Sequence, residues 1–446
     1  MPTASDLTGV QAHTRTRPAH DRHRGRLIVT ASLLAVAGLA VAVDRPGEAA
    51  AATTVAAAAT HATGGSGAQT QQARLDQLAR KAVDAGAPGV IVRVDDGRGR
   101  PIQVAEQAPW ARHDHLLTPT DEFRMASNTK TMVATLVLQL AAEGELALTD
   151  PVEKWLPGQI PNGEAITLRM LLNHTSGLFD YTNDPALLPS ILGKETRRWT
   201  SAELLAMGVK HDPLFAPGAK FSYSNTNYIA IGAVLERVTG ASMADLVRDR
   251  IARPLGLKHT YYATDSTWRG RHAHGYEPDA AHMPPSVPAE FRHFAGTRHD
   301  GHVDVSDNDP GWGGAAGAVV STAQDWSRFY TALMSGKLLP AAQLEQMRTT
   351  VPQDPEQPDG PGYGLGIQTG ATPCGTIWGH DGGIPGYLTA TVTDRTGSRT
   401  ATLLISTESW AEFGSDPKIA AAVQTLQTTM ICTMFGKPVP TPDPAG

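Results

Sequence analysis

The sequence predicts an α/β fold, an antiparallel sheet flanked by helices, in which strands at both ends of the folded part enclose a mostly helical inserted subdomain. Three observations predict it. Alternating apolar residues in "GVIVRVDDGRGRPIQVAEQ" break at Asp96-Gly97, which is a hairpin signal. Apolar residues in "TKTMVATLVLQLAAEG" recur at helical spacing and stop at Gly144, as a buried helix would. Alternation returns only in "TIWGHDGGIPGYLTATVTDRTGSRTATLLIS", so the remaining strands come at the far end of the chain.

Taken in order, the 446 residues begin with Arg15, Arg17, Arg22, Arg24 and Arg26 ahead of the apolar run Leu27 to Val43 and small residues offering cleavage sites near Ala49 to Ala51. This is the order of a secretory signal peptide over 1–51, so the protein is expected to be secreted, without stable membrane insertion after cleavage. An uncleaved anchor is the runner-up, because the run falls slightly short of the ~20 residues of a spanning helix. Residues 52–72, rich in Ala, Thr and Gly, are expected to be a disordered linker. The folded domain is expected over 73–436, with the helical insert at about 149–310 and a flexible tail at 437–446. Its first helix, "ARLDQLARKAVDAGAPG", places Leu75, Leu78, Ala82 and Val83 on one face and ends at Gly86 and Pro88. Within the insert, "ITLRMLLNH", "SAELLAMGVKH" and "NYIAIGAVLERVTG" read as helices between Pro- and Gly-rich loops, and "KIAAAVQTLQTTM" closes the chain as another. Two cysteines, Cys374 and Cys432, favour a disulfide in an exported chain, two buried thiols being the alternative. A net charge of −6 gives no basic footprint for nucleic acid.

Chemistry enters with "MASNTKTM". Ser127 and Lys130 stand three apart at a helix start, where the lysine amine can reach the serine hydroxyl and free backbone N–H groups suit a developing oxyanion. Apolar surroundings would lower the lysine pKa and leave a neutral amine as base. Ser-x-x-Lys alone is weak, since Ser415 and Lys418 repeat it. In "PGAKFSYSNTNY", Tyr223 offers a phenol to relay a proton and Asn225 an amide to hold a substrate carbonyl; Tyr181-Thr182-Asn183 repeats that pattern, more simply as a polar turn. The third motif, His380-Asp381-Gly382, lies on a predicted strand, and His299-Asp300-Gly301 repeats it in a His-, Pro- and Asp-rich stretch. Only Ser127, Tyr223 and His380 combine a buried helix head, the helical insert and a returning strand.

With these motifs, the sequence resembles the serine-active penicillin-binding protein and β-lactamase superfamily, most closely its secreted D-alanyl-D-alanine carboxypeptidases; Tyr-x-Asn and His-x-Gly are variant partner motifs. "GAPGVIVRVDDG", "LLNHTSGLFDYTND", "FSYSNTNY", "YGLGIQ" and "FGKP" extend the resemblance over roughly residues 75–436. It implies a β-lactamase/transpeptidase-like fold and an acyl-enzyme mechanism: Ser127 attacks, Lys130 takes its proton with Tyr223 nearby, and the N–H groups of Ser127 and Gly383 hold the oxyanion. Tyr223 then protonates the leaving group. Asn225, His380, Gly382 and Gly383 are implied substrate contacts, Trp312 is a candidate cleft wall, and Cys374 and Cys432 lie in segments the family pairs. The implied substrates are a small peptide, an ester or a β-lactam, with no cofactor or metal, and a monomer is expected. A β-lactamase, an esterase and a penicillin-binding sensor that never turns over are the alternatives.

Two departures bear on specificity. The relatives hold a substrate carboxylate with hydroxyls in and after His-x-Gly and an arginine on the preceding strand, whereas here stand Asp381, Gly383 and Gln368. An ionised Asp381 pointing at the cleft would repel a carboxylate; the alternative is that it turns into solvent and another loop supplies the cation. His272, His274, His282, His293, His299 and His302 invite a zinc reading, but their spacing lacks a compact ligand pattern, and a solvated loop is the simpler expectation.

Overall fold

The computed structural model describes residues 64–285, 287–408 and 417–440. The expected signal peptide and most of the linker lie outside them, as do Ser415 and the end of the expected tail. Helix α1 (Gly64–Asp84) begins ahead of Ala73, so the last part of the expected linker is helical. Its polar sequence hid the turn. The Gln72 side-chain amide donates to Asp76 Oδ1 and to the Gln103 carbonyl, both at 3.1 Å, fastening that turn to the sheet.

Strands β1 (Gly89–Asp95) and β2 (Ile102–Gln107) form the expected antiparallel hairpin. Its turn needs Gly97, at φ +74°, where a Cβ would lie 2.6 Å from the Ser398 carbonyl. Strand β3 (Phe123–Arg124) leads into α2 (Thr129–Glu143), whose Met132, Val133, Leu136, Val137 and Leu140 are all buried and whose end is capped by left-handed Gly144.

The insert carries α3 (Leu168–Leu172), α4 (Leu188–Ile191), α5 (Ser201–Val209), α6 (Asn225–Thr239), α7 (Met243–Val247) and α8 (Arg253–Leu255). It is not helical throughout. After β4 (Tyr261–Tyr262), strands β5 (Tyr276–Pro278), β6 (Thr297–His299) and β7 (His302–Asp304) form an antiparallel sheet ordered β5-β7-β6. The histidine-rich stretch is therefore built structure rather than a solvated loop. Strands of three residues are too short to show alternation, yet Tyr276 and Val303 are buried in them. His299-Asp300-Gly301 is the β6–β7 turn, with Asp300 and Gly301 at φ +44° and +80°, as a tight hairpin requires.

Beyond the insert come α9 (Gly314–Gly317), β8 (Val319–Ser321), α10 (Ala323–Met334), α11 (Ala341–Arg348) and short β9 (Val351–Pro352). Then β10 (Gly362–Tyr363), β11 (Gln368–Thr372), β12 (Gly375–Ile384), β13 (Tyr387–Thr393) and β14 (Thr400–Ile405) precede the closing helix α12 (Pro417–Phe435). The main sheet has eight antiparallel strands in the order β2-β1-β14-β13-β12-β11-β10-β9. Pairing of β1 with β14, Val90 opposite Ile405, joins the two ends of the fold.

Alternation sorts the side chains of these strands into two cores. Val90, Val92, Leu403 and Ile405 pack with Leu75 of α1 and Val423 and Met430 of α12. Ile91 and Leu404 face the opposite way, into the larger core of Met132, Leu136, Tyr228 and Trp326. No helix among the described residues is long and apolar enough to cross a membrane.

Cys374 and Cys432 are bonded, with Cα atoms 5.1 Å apart and a sequence separation of 58, tying the start of β12 to the end of α12. Chain entropy for a loop of this length gives about 4 kcal/mol. Replacing both cysteines by alanine is therefore expected to lower the unfolding free energy by up to that amount, read from urea unfolding; equal stability of the two proteins would show that the bridge constrains nothing.

Candidate active site

The site is built around one turn. Met125 N–H donates to the Val319 carbonyl at 2.9 Å, ending β3, and residues Ala126–Asn128 form a 3-10 turn before α2. Ala126 has φ +48°, a left-handed conformation that costs an alanine about 1 kcal/mol or more. The surroundings hold it there. Strand β12 passes directly against the turn at Gly382, where a Cβ would lie 2.6 Å from Ser127 N and 2.7 Å from Met125 O. The Asn128 amide donates to Thr389 Oγ1 at 2.8 Å and accepts from Trp326 Nε1 at 3.2 Å, pinning the turn to β13 and α10. Ser127 is thereby presented half-buried at the helix head.

Lys130 is fully buried, and its Nζ lies 2.9 Å from Ser127 Oγ, 2.8 Å from Asn225 Oδ1 and 2.9 Å from the Ala316 carbonyl. Burial lowers its pKa to about 7 against the opposing pull of Asp180 and Asp381. Two of its three neighbours are carbonyl oxygens, which can only accept. A neutral amine therefore keeps two N–H bonds to them and turns its lone pair toward the Ser127 hydroxyl.

Asn225, at the start of α6, joins this lysine to a buried acid. Its amide nitrogen donates to Asp180 Oδ2 at 3.0 Å, while Thr182 donates to Asp180 Oδ1 through its N–H at 3.1 Å and its hydroxyl at 2.9 Å. Burial raises the Asp180 pKa, opposed by the hydrogen bonds from Thr182 and Asn225. Tyr181-Thr182-Asn183 is the 3-10 turn that Asp180 caps, and Tyr181 and Thr182 line the cleft beside Ser127.

Tyr223 lies against the lysine, Nζ being 4.8 Å from its ring centroid. Burial pushes its phenol far above the ordinary range, and a hydrogen bond with Ser127 pulls the other way. Its ring stacks on His174, centroids 4.2 Å apart. His174 begins a directed chain of hydrogen bonds. Ser224 N–H donates to its Nδ1 at 3.2 Å, which puts the ring proton on Nε2. Nε2–H faces Tyr363 Oη at 3.1 Å, the phenol faces His380 Nε2 at 2.9 Å, and His380 Nδ1–H faces the Asp381 carbonyl at 2.5 Å. Burial first, then the charge of Lys130, lower His380 to about 3, and burial holds His174 well below its usual value, so both rings are neutral. His380 is completely buried behind the cleft wall rather than on it, and Gly382 serves to let β12 approach the turn.

Asp381 neither faces the cleft nor turns into solvent. It is buried, and its Oδ1 accepts from the Gln368 amide at 3.2 Å across β11 and β12, where the register sets the two inward-facing polar side chains side by side. The cleft itself, about 660 Å³ with its open mouth, has Ser127, Asn225 and Gly383 at one end and walls of Ile191, Phe291, Phe294, Trp312, Ile384 and Pro385. Among the described lining residues Glu408 is the one charged side chain. Its carboxylate lies where a Gly383 side chain would be, and its N–H donates to Glu277 Oε1 at 2.9 Å. His174, Asp180, Tyr363 and Glu408 were not singled out from the sequence. The first three sit in segments quoted above for their resemblance, while "LLISTES" gives Glu408 no signal.

With a lysine near pH 7 as the group that must lose its proton, kcat/KM for an activated ester is expected to rise with pH to a midpoint near 7. Lys130→Ala should fall by orders of magnitude and lose that limb; a limb retained in the variant would move the titration elsewhere. Tyr363→Phe removes both neutral hydrogen bonds of the phenol, each worth about 1 kcal/mol, and is expected to lower kcat about fivefold or more with KM unchanged. Imidazole ¹⁵N shifts should show His380 losing its single tautomer. A fall in Tm with the tautomer intact would mean that Tyr363 serves packing alone.

Residues 75–425 match the family described as Beta-lactamase. Penicillin-binding protein 4* of Bacillus subtilis (strain 168) is 30% identical over 278 residues, covering 60% of this chain and 56% of that protein. The putative penicillin-binding protein PbpX of the same organism is 27% identical over 233 residues, 52% of this chain and 51% of the relative. The chain thus spans about half the length of these two relatives. Among solved structures, a D-stereospecific amidohydrolase from Streptomyces sp. superposes with a TM-score of 0.67 at 35% identity, covering 78% of this chain and 98% of its own. The D-amino acid amidase from Ochrobactrum anthropi SV3, complexed with D-phenylalanine, gives 0.68 at 25% identity, covering 81% and 99%. Sheet, site and matches agree: the fold is β-lactamase/transpeptidase-like, and the chain belongs to the beta-lactamase family, within the superfamily of serine-active penicillin-binding proteins.

Proposed function

We propose that this serine hydrolase is an exported amidohydrolase that acts through an acyl-enzyme on amides and esters of apolar D-amino acids. Ser127 Oγ attacks the carbonyl carbon as its proton passes to the Lys130 amine, and the Ser127 and Gly383 N–H groups receive the oxyanion. The C–N or C–O bond breaks as Tyr223 delivers its phenol proton to the leaving group and regains one from the Lys130 ammonium. Water then attacks the ester of Ser127 by the reverse relay and releases the acid. Asn225 positions Lys130 and the acyl side, Trp312 walls the cleft, and His380 keeps the floor behind Tyr223 neutral.

One observation carries the substrate class: among the described lining residues the charged side chain is that of Glu408, set among aromatic and aliphatic walls. Opposite charges about 4 Å apart attract by roughly 1–4 kcal/mol, depending on the effective dielectric. Such a cleft favours an ammonium beside an apolar side chain and disfavours a terminal carboxylate. Gln368, paired with Asp381, stands where a carboxylate-binding arginine was expected. The amidohydrolase and amidase relatives support the same class. D-Ala-D-Ala carboxypeptidase activity is the second reading, favoured by the two penicillin-binding relatives.

D-phenylalanine amide is expected to exceed a D-Ala-D-Ala peptide in kcat/KM by tenfold or more, and Glu408→Gln should cost the amide about tenfold while sparing its N-acetyl form. The reverse order of substrates would establish the carboxypeptidase reading instead.

A further inference from the structure

The histidine-rich segment leaves a cluster that this chemistry does not use. Asp114, at the end of the turn Trp110–His113, His274, just before β5, and Asp304, at the end of β7, bring one ligand atom each to within 4.8 Å of one another. They arrive from parts of the chain far apart in sequence. His274 Nδ1 lies 2.6 Å from Asp304 Oδ2, and His299 Nε2 lies 3.4 Å from Asp114 Oδ1 at the edge of the group.

The carboxylates are oriented as metal ligands are. Tyr276 Oη donates to Asp114 Oδ2 at 2.7 Å, leaving Oδ1 toward His299. Ser306 donates to Asp304 Oδ1 through its N–H at 2.9 Å and its hydroxyl at 2.5 Å, leaving Oδ2 toward His274. Outer hydrogen bonds of this kind fix ligating groups in place. The His274 ring runs near-parallel to those of His272 and His115, with centroids at 5.1 and 6.1 Å and planes within 19° of parallel.

We propose that Asp114, His274 and Asp304, with His299 as a fourth ligand, form a binding site for a divalent transition ion of the zinc class. Imidazole nitrogen with carboxylate oxygen is a zinc donor set in tetrahedral reach, whereas magnesium and calcium prefer oxygen alone. Two carboxylates supply the negative charge that a dication needs. The ion would join the turn before β3 to the β5-β7-β6 sheet. That sheet borders the cleft, because Glu277 of β5 accepts from the N–H groups of Gly386 and Glu408. No residue of the cluster lines the cleft, so the ion's place is structural.

The test uses the full chain without an affinity tag, after chelation. Wild type is expected to take up cobalt(II) with visible d–d absorption, to release it to one equivalent of zinc, and to gain about 2 °C or more in Tm with saturating zinc but not with calcium or magnesium. His274→Gln and Asp114→Asn should each weaken zinc binding at least about tenfold while leaving ester hydrolysis unchanged. No saturable uptake by wild type would reduce the cluster to an ion pair of His274 with its carboxylates. Undiminished uptake by soluble His274→Gln would place the ion elsewhere, and either result ends the proposal. Should a variant fail to fold, the wild-type cobalt spectrum decides, since tetragonal or absent bands exclude this donor set.

Discussion

The arrangement rests on keeping one lysine out of water. An ammonium buried without compensation would cost several kcal/mol, so everything near Lys130 either supplies an acceptor or lowers its charge. Ala316 and Asn225 supply acceptors, and Asp180 holds Asn225 in that orientation by accepting from its amide nitrogen. The two neighbouring histidines are kept uncharged, since a second cation here would be intolerable. Burial, reinforced by the charge of one amine, thus keeps the histidines behind the site neutral.

The fold meets this demand by drawing its parts from distant stretches. The head of α2 supplies the serine and lysine, the insert supplies Asp180, Tyr223 and Asn225, and β10 and β12 supply Tyr363 and His380. Two glycines let these layers touch. Gly382 brings β12 onto the Ser127 turn, and Gly366, at φ +70°, brings a loop onto α2, where a Cβ would lie 2.6 Å from the Ala134 side chain and 2.8 Å from Lys130 O. Thr131 anchors to the same Gly366 carbonyl at 2.6 Å, so helix and loop are fixed together.

Much of this was legible in the sequence, for reasons that differ by residue. The hairpin at Gly97, the α2 face and the returning strands were clear because their periods are long enough to read. Ser127, Lys130, Tyr223 and Asn225 were found because each belongs to a short pattern with a chemical reason. Asp381 was misplaced, since alternation gives a side of the sheet but not the partner across it, and Gln368 proved to be that partner. Glu408 and the aromatic walls from 291 and 294 carry no local pattern and meet the cleft only through tertiary folding. The β5-β7-β6 sheet escaped because strands of three residues have no measurable period, and its histidines looked like a polar loop.

Pairing of β1 with β14 has a consequence for the life of the chain. The sheet cannot close until its last strand has been made, and pairings of such high sequence separation are slow to form. Before closure, Lys130 stands in water as an ordinary cation and Ser127 as an ordinary alcohol. A partly synthesised chain therefore lacks the buried amine on which the chemistry depends. Reactivity is switched on by the final strands, so the molecule becomes dangerous to its substrates only once it is whole.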